Sequence, residues 1–230
     1  MTAVVLQARL DSSRLPGKAL LPLGGEPLIL RVMEALKRVS CDLHVLACPE
    51  DCAEAFIPLA EKAGFQMSAG SKEDVLSRYC AAIRRFAIDR VIRATGDNPF
   101  VFADAAEALN QEALARNADY AGYGGLPHGA GIESVAAEAL LHAEQGASLQ
   151  TEREHVCPYL YHHPERFLLH RPLAPVIWQG PSLRITVDTR EDYERAKALY
   201  EDLVQVEEPR RYWGEAVIKA YKRRFTGGRR

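Results

Sequence analysis

Gln7-Ala8-Arg9-Leu10-Asp11-Ser12-Ser13-Arg14-Leu15-Pro16-Gly17-Lys18 follows directly on a short apolar run, Ala3–Leu6. The run reads as a strand. Three cations, Arg9, Arg14 and Lys18, then share one loop with two serine hydroxyls and Gly17. At the carboxyl end of a strand such a loop suits a polyphosphate, since charged donors make short hydrogen bonds and a glycine permits close backbone approach. The common phosphate loop needs Gly-x4-Gly-Lys-Ser/Thr, whereas Ala19 and Leu20 follow this lysine. The Gly-x-Gly-x-x-Gly of dinucleotide folds is also missing. The loop is a phosphate site of another design, rich in side-chain charge and poor in glycine.

Outward from this loop, strand and helix patterns alternate, as they do in an α/β fold with a parallel sheet and helices on its faces. Leu28, Val32, Met33, Leu36 and Val39 fall at helical spacing after Pro27. Leu43–Ala47 reads as a strand and Glu50–Ala63 as a helix closed by Gly64. Glu73–Phe86 is an amphipathic helix, and Ile88–Ala94 a strand that runs into Thr95-Gly96-Asp97-Asn98-Pro99. A helix over Ala103–Arg116 leads to a strand at Asp119–Tyr123. The glycine-rich Gly122–Gly131 reads as a loop or lid, followed by helices over Glu133–Gln145 and Glu152–His162. Strands are expected at Phe167–Arg171 and Leu183–Val187, and helices at Glu191–Val204 and Arg211–Arg224.

Composition narrows the function. A net charge of −2 over 230 residues argues against a general nucleic-acid or membrane-surface binder. The basic end, Lys222 to Arg230, reads as a solvated tail. No apolar run is long enough to span a membrane and no signal peptide is evident, so a cytoplasmic protein is expected. Five scattered cysteines (Cys41, Cys48, Cys52, Cys80, Cys157) fit reduced thiols, and Cys48 and Cys52 lack a second pair at zinc spacing.

Open α/β sheets bind ligands beyond the carboxyl ends of their strands. Three expected strands deliver polar groups there: the Arg9–Lys18 loop, Asp97 after Ile88–Ala94, and Asp188 after Leu183–Val187. Two carboxylates beside a cationic phosphate loop would repel a triphosphate unless a divalent metal lay between them. Mg²⁺ suits such a site, because it takes one or two carboxylates plus phosphate oxygens and water. Singly, each residue has a plainer reading. Asp97 can be a turn residue, Asp188-Thr189 the start of the Glu191 helix, and Arg14 and Lys18 surface charges. Their conjunction at one sheet edge favours the site.

These residues resemble the CTP-dependent cytidylyltransferases that activate acidic sugars, the acylneuraminate and 3-deoxy-manno-octulosonate superfamily. The likeness is strongest to its spore-coat polysaccharide biosynthesis protein F branch. It spans Val4 to about Leu203 and rests above all on Gln7-Ala8-Arg9 and Ser12-Ser13-Arg14-Leu15-Pro16-Gly17-Lys18. Glu73-Asp74-Val75-Leu76, Thr95-Gly96-Asp97, Glu152-Arg153-Glu154-His155 and Arg184-Ile185-Thr186-Val187-Asp188-Thr189 add to it.

The resemblance implies a Rossmann-like nucleotide-diphospho-sugar transferase fold with a mixed, mostly parallel sheet. It implies a nucleotidyltransferase domain over 1–205, an acceptor-binding and dimerisation insertion at 118–175, and a C-terminal helix and basic tail at 206–230. Gln7, Ala8, Arg9, Ser13 and Asp74 would bind CTP, Arg14, Lys18 and Asp97 would act in catalysis, and Asp97 and Asp188 would hold Mg²⁺. His128, Glu133, Arg153 and His155 would meet a small sugar acceptor, and a homodimer is admitted through the insertion. Each has a second reading: His128 as a lid residue, Arg153 and His155 as helix-end groups, Asp74 as a helix cap. The sequence departs from relatives at Gly129-Ala130-Gly131-Ile132-Glu133, where an aspartate often precedes the glutamate, and at Asp11 and Cys157. The acceptor therefore stays unnamed. Two other functions compete: a nucleotide-sugar glycosyltransferase, disfavoured because Asn98-Pro99 follow Asp97 where an Asp-x-Asp pair is usual, and a non-catalytic nucleotide-binding module.

Overall fold

The opening apolar run is buried on both faces, as the centre of a parallel sheet requires. The computed structural model describes residues 1–208 and 210–227; the last three residues of the basic tail lie outside them. In chain order the elements are β1 (Thr2–Gln7), β2 (Pro22–Leu23), β3 (Glu26–Pro27), α1 (Leu28–Leu36), β4 (Leu43–Pro49), α2 (Ala53–Ala63) and β5 (Gln66–Gly70). Next come α3 (Val75–Phe86), β6 (Arg90–Thr95), α4 (Ala103–Ala115), β7 (Tyr120–Gly122) and β8 (Glu133–Ala136). The chain closes with α5 (Ala137–Gly146), α6 (Gln150–His155), α7 (Pro158–His162), β9 (Leu169–His170), α8 (Arg190–Leu203) and α9 (Gly214–Phe225).

Seven strands form one sheet in the order β5-β4-β1-β6-β8-β7-β9, and only β8 runs against its neighbours. Alternate residues of β1 feed two cores. Val4 and Leu6 pack with α1, α2, α4, α8 and α9, while Ala3 and Val5 pack with α3, α5 and α7. Strand order reverses at β1, since β4 lies on one side and β6 on the other. That switch point leaves a crevice outside the carboxyl ends of β1 and β6, where ligands bind in this class of sheet. The expected α/β architecture with helices on both faces is the observed one.

Local expectations are corrected at several points. Glu133–Ala136 is a strand rather than the start of a helix, and α5 begins only at Ala137. A charged Glu133 is tolerated in the sheet because its register partner is Arg93. Leu183–Val187 makes no ladder: it is extended chain joined to the glycine-rich loop by one bridge, His128 to Arg184. Its backbone bonds run instead to His128 and to Asp97 O, which accepts from Val187 N at 2.8 Å. The edge strand Gln66–Gly70 escapes a reading by pattern, because Gln, Ser, Ala and Gly are weak strand formers.

Two glycines are needed for their backbone. Gly17 has φ +65° and opens the short 3-10 turn that carries Lys18, with open space where a Cβ would stand, so its use is the left-handed turn and not close packing. Gly129 has φ +95°, and a Cβ there would lie 2.5 Å from the Thr186 amide nitrogen. The approach seats the Leu183–Val187 segment beside β6. Gly129→Ala is expected to cost on the order of 1–3 kcal/mol of stability. A lowered thermal midpoint checks it, whereas an unchanged midpoint would show that the loop does not depend on this approach.

Candidate active site

Lys18 is the meeting point of three chain segments. Its ammonium donates to Asp97 Oδ2 at 3.0 Å, to Asp188 Oδ1 at 2.9 Å and to the Val187 carbonyl at 2.8 Å. Only 12 % of the Lys18 side chain is exposed. The loop that carries it is ordered by its own backbone: Gly17 N donates to Leu10 O, and Leu15 N donates to the Ser12 hydroxyl. Asp97 Oδ1 accepts from the Thr95 hydroxyl at 2.7 Å. Asp188 also meets Arg14 at 3.1 Å and Arg184 at 2.7 Å. The conjunction expected at the sheet edge is thus present, although Asp188 arrives on extended chain and not from a strand.

Thr189 takes the helix-capping role, its hydroxyl accepting from Asp192 N, while Asp192 accepts from Thr189 N. Asp188 is left facing the cations. Burial opposes its ionisation, but Lys18, Arg14 and Arg184 outweigh burial and hold its carboxyl below the usual range. For Asp192 burial again works against the charge, and Arg184 with the Asp188 and Thr189 amides more than reverses it.

A cleft of about 290 Å³ opens over this clasp, lined by Gln7, Ala8, Arg9, Ser13 and Arg14 along one wall. Lys18, Asp97, Asp188 and the exposed His155 line it too. A second cleft of about 660 Å³ adjoins it, lined by Tyr120, Tyr123, His128, Glu133 and Arg171. Arg93 and Thr95 line both clefts.

Glu133 forms part of the second cleft as a brace. Its carboxylate pairs with Arg93 and accepts from Tyr120 at 2.8 Å and from Tyr161. Burial penalises that carboxylate, yet Arg93 and the two tyrosines keep it ionised. Two expected ligand-binding residues lie in neither cleft. Asp74 caps α3 by accepting from Ser77 N at 2.9 Å, and it pairs with Arg153 at 3.1 Å. Arg153 spends its remaining donors on the Glu144 and Ala147 carbonyls at the end of α5. Both fit the plainer reading as helix-end groups. Asp11 pairs with Lys72 at 2.8 Å and lies 3.8 Å from Arg9.

Sequence reasoning missed Arg93, Tyr120, Tyr161, Arg171 and the Arg184–Asp192 pair. The available signal was Arg93, a cation between the apolar Ile92 and Ala94 of β6, since a buried charge needs a partner. The five cysteines are free, and no three His, Cys, Asp or Glu side chains cluster as metal ligands among the described residues. Oxygens of Asp97 and Asp188 converge on one cation, the Lys18 ammonium. No helix among the described residues is long and apolar enough to cross a membrane.

The chain matches the family model for cytidylyltransferases over residues 3–216. It is 32% identical over 204 residues to the spore coat polysaccharide biosynthesis protein SpsF of Bacillus subtilis (strain 168), covering 86% of this chain and 85% of that one. It is 39% identical over 119 residues to a 3-deoxy-manno-octulosonate cytidylyltransferase of Stenotrophomonas maltophilia (strain K279a), covering 50% of this chain and 46% of that one. A solved cytidylyltransferase from Leptospira borgpetersenii superposes with a TM-score of 0.87 at 26% identity, covering 96% of this chain and 94% of the other.

The depressed Asp188 and Asp192 carboxyls link stability to pH. Their contribution is complete above the ordinary carboxylate value of about 4 and is lost as pH falls through their lower folded values. Asp192→Asn is expected to cost about 1–3 kcal/mol at neutral pH, with the gap to wild type closing in acid. Denaturant melts across pH test this, and a pH-independent gap would refute the linkage.

Proposed function

The chain belongs to the cytidylyltransferase family and is therefore a nucleotidyltransferase, and we propose that it activates a sugar with CTP and releases pyrophosphate. The single observation that carries the reading is Lys18, which stands 3.0 Å from Asp97 and 2.9 Å from Asp188 at the mouth of a cation-lined cleft. Arg14 and Lys18 neutralise the β- and γ-phosphates, and Gln7, Ala8 and Arg9 face the nucleoside. Asp97 and Asp188 fit a divalent cation, Mg²⁺ by preference, because their hard oxygens converge; such an ion supplies Lewis-acid polarisation of the α-phosphate when bound.

A sugar hydroxyl attacks the α-phosphorus in line, and pyrophosphate leaves from the opposite side. The protein contributes position and charge neutralisation: Arg14 and Lys18 offset the charge that builds on the departing pyrophosphate. The acceptor sits in the second cleft, where the Arg171 guanidinium and the His128 imidazole form an exposed rim. That rim favours an acidic sugar, in keeping with the 3-deoxy-manno-octulosonate enzyme among its relatives. The likeness to SpsF places the product in surface polysaccharide synthesis. Most of the lining falls within residues 118–175, which supports reading this segment as the acceptor-binding insertion.

Pyrophosphate release from CTP and Mg²⁺ in the presence of acidic sugars tests the reaction. Lys18→Ala and Asp97→Ala are each expected to lower turnover by about 10²-fold or more with the fold intact by circular dichroism. Near-wild-type turnover in either variant would strip that residue of its role. Consumption of a nucleotide sugar without pyrophosphate release would favour a glycosyltransferase instead.

A further inference from the structure

Gln7 ends β1, and its carboxamide is fixed from behind. Arg93 Nη2 donates to Gln7 Oε1 at 3.0 Å, and the Tyr79 hydroxyl lies 3.3 Å from the same oxygen. A guanidinium has donors and no acceptor, so the end of the amide that meets Arg93 is the carbonyl oxygen. Arg93 cannot swing away to release it. Its register partner Glu133 holds it from the other side, and Tyr120 and Tyr161 hold Glu133 in turn. Turning the amide over would press an NH₂ group against a cation in a site where the Arg93 side chain is only 14% exposed. Gln7 Nε2 is thus the end left for the first cleft, which Gln7 lines together with Val75 and Arg78.

The Arg14–Lys18 end of that cleft is its phosphate end on the reading given above, on which this inference rests. The Gln7 end then receives the base. Cytosine offers an acceptor at N3, whereas uracil carries a hydrogen there. We propose that Gln7 Nε2 donates to N3 of the pyrimidine, and that Arg93 is the positioning residue that keeps this donor turned outward. The site accepts a cytosine nucleotide because it presents a donor that cannot be exchanged for an acceptor. A uracil nucleotide brings N–H against N–H and leaves both buried donors unpaired.

Titration of the full chain with CTP and with UTP, each in the presence of Mg²⁺, reads this without knowledge of the acceptor. Wild type is expected to prefer CTP by on the order of tenfold or more. Gln7→Met should narrow that ratio to near unity. Gln7→Glu keeps a carboxylate oxygen for Arg93 and turns another outward, so it should favour UTP. Arg93→Lys, which retains the charge and loses the fork, should also narrow the ratio. Thermal melts establish that each variant is folded, and the ratio is a readout that a merely structural change would not move. An unchanged CTP:UTP ratio in folded Gln7→Met and Gln7→Glu would overturn the inference and leave the enzyme reading standing. A wild type that binds neither nucleotide would overturn both.

Discussion

The ammonium of Lys18 ties the molecule together at its working edge. It joins the loop after β1, the turn after β6 and the extended chain before α8, whose contact residues lie 79 and 170 positions away. No local preference brings those segments together. Two carboxylates this close would repel, and Lys18 with Arg14 and Arg184 makes their approach favourable. The arrangement is already complementary to a cation shared between two acids and an anion beside them, so little rearrangement is demanded when charges are exchanged.

The sheet explains why this clasp lies where it does. Reversal of strand order at β1 opens the crevice, and the antiparallel β8 inserted between β6 and β7 builds the wall of the second cleft. Arg93 stands between the two clefts, touching Gln7 on one side and Glu133 on the other. On the function proposed above, nucleotide and acceptor are received by neighbouring clefts that share Arg93 in their walls. In-line attack needs this fixed relation between the two reactants.

The first half of the fold was legible because its elements obey simple periods: β1, β4, β6 and the helices between them follow from apolar spacing and from Gly64 and Asp74 at helix ends. Gln7, Arg9, Arg14, Lys18 and Asp97 were legible for the same reason, being local to strand ends. What was hidden depends on tertiary pairing. Glu133-Ser134-Val135-Ala136 has no strand pattern of its own and becomes a strand only because Arg93 satisfies its charge across the ladder. Asp74 and Arg153 carried both a ligand and a helix-end reading; the structure shows the helix-end contacts, and what sequence spacing does not reveal is that the two also pair with each other. Asp188 meets Lys18 as Asp97 does, but no strand delivers it, since Leu183–Val187 follows the glycine-rich loop instead of joining the sheet.

The saturated carboxylate of Glu133 constrains how such a protein can diversify. Arg93, Tyr120 and Tyr161 consume its lone pairs, so none of the four can drift alone without stranding a buried charge. On the proposed function, adaptation to a new acceptor runs first through the exposed His128, whereas Arg171, though exposed, lies over the Tyr161 ring at 5.1 Å and so touches the quartet.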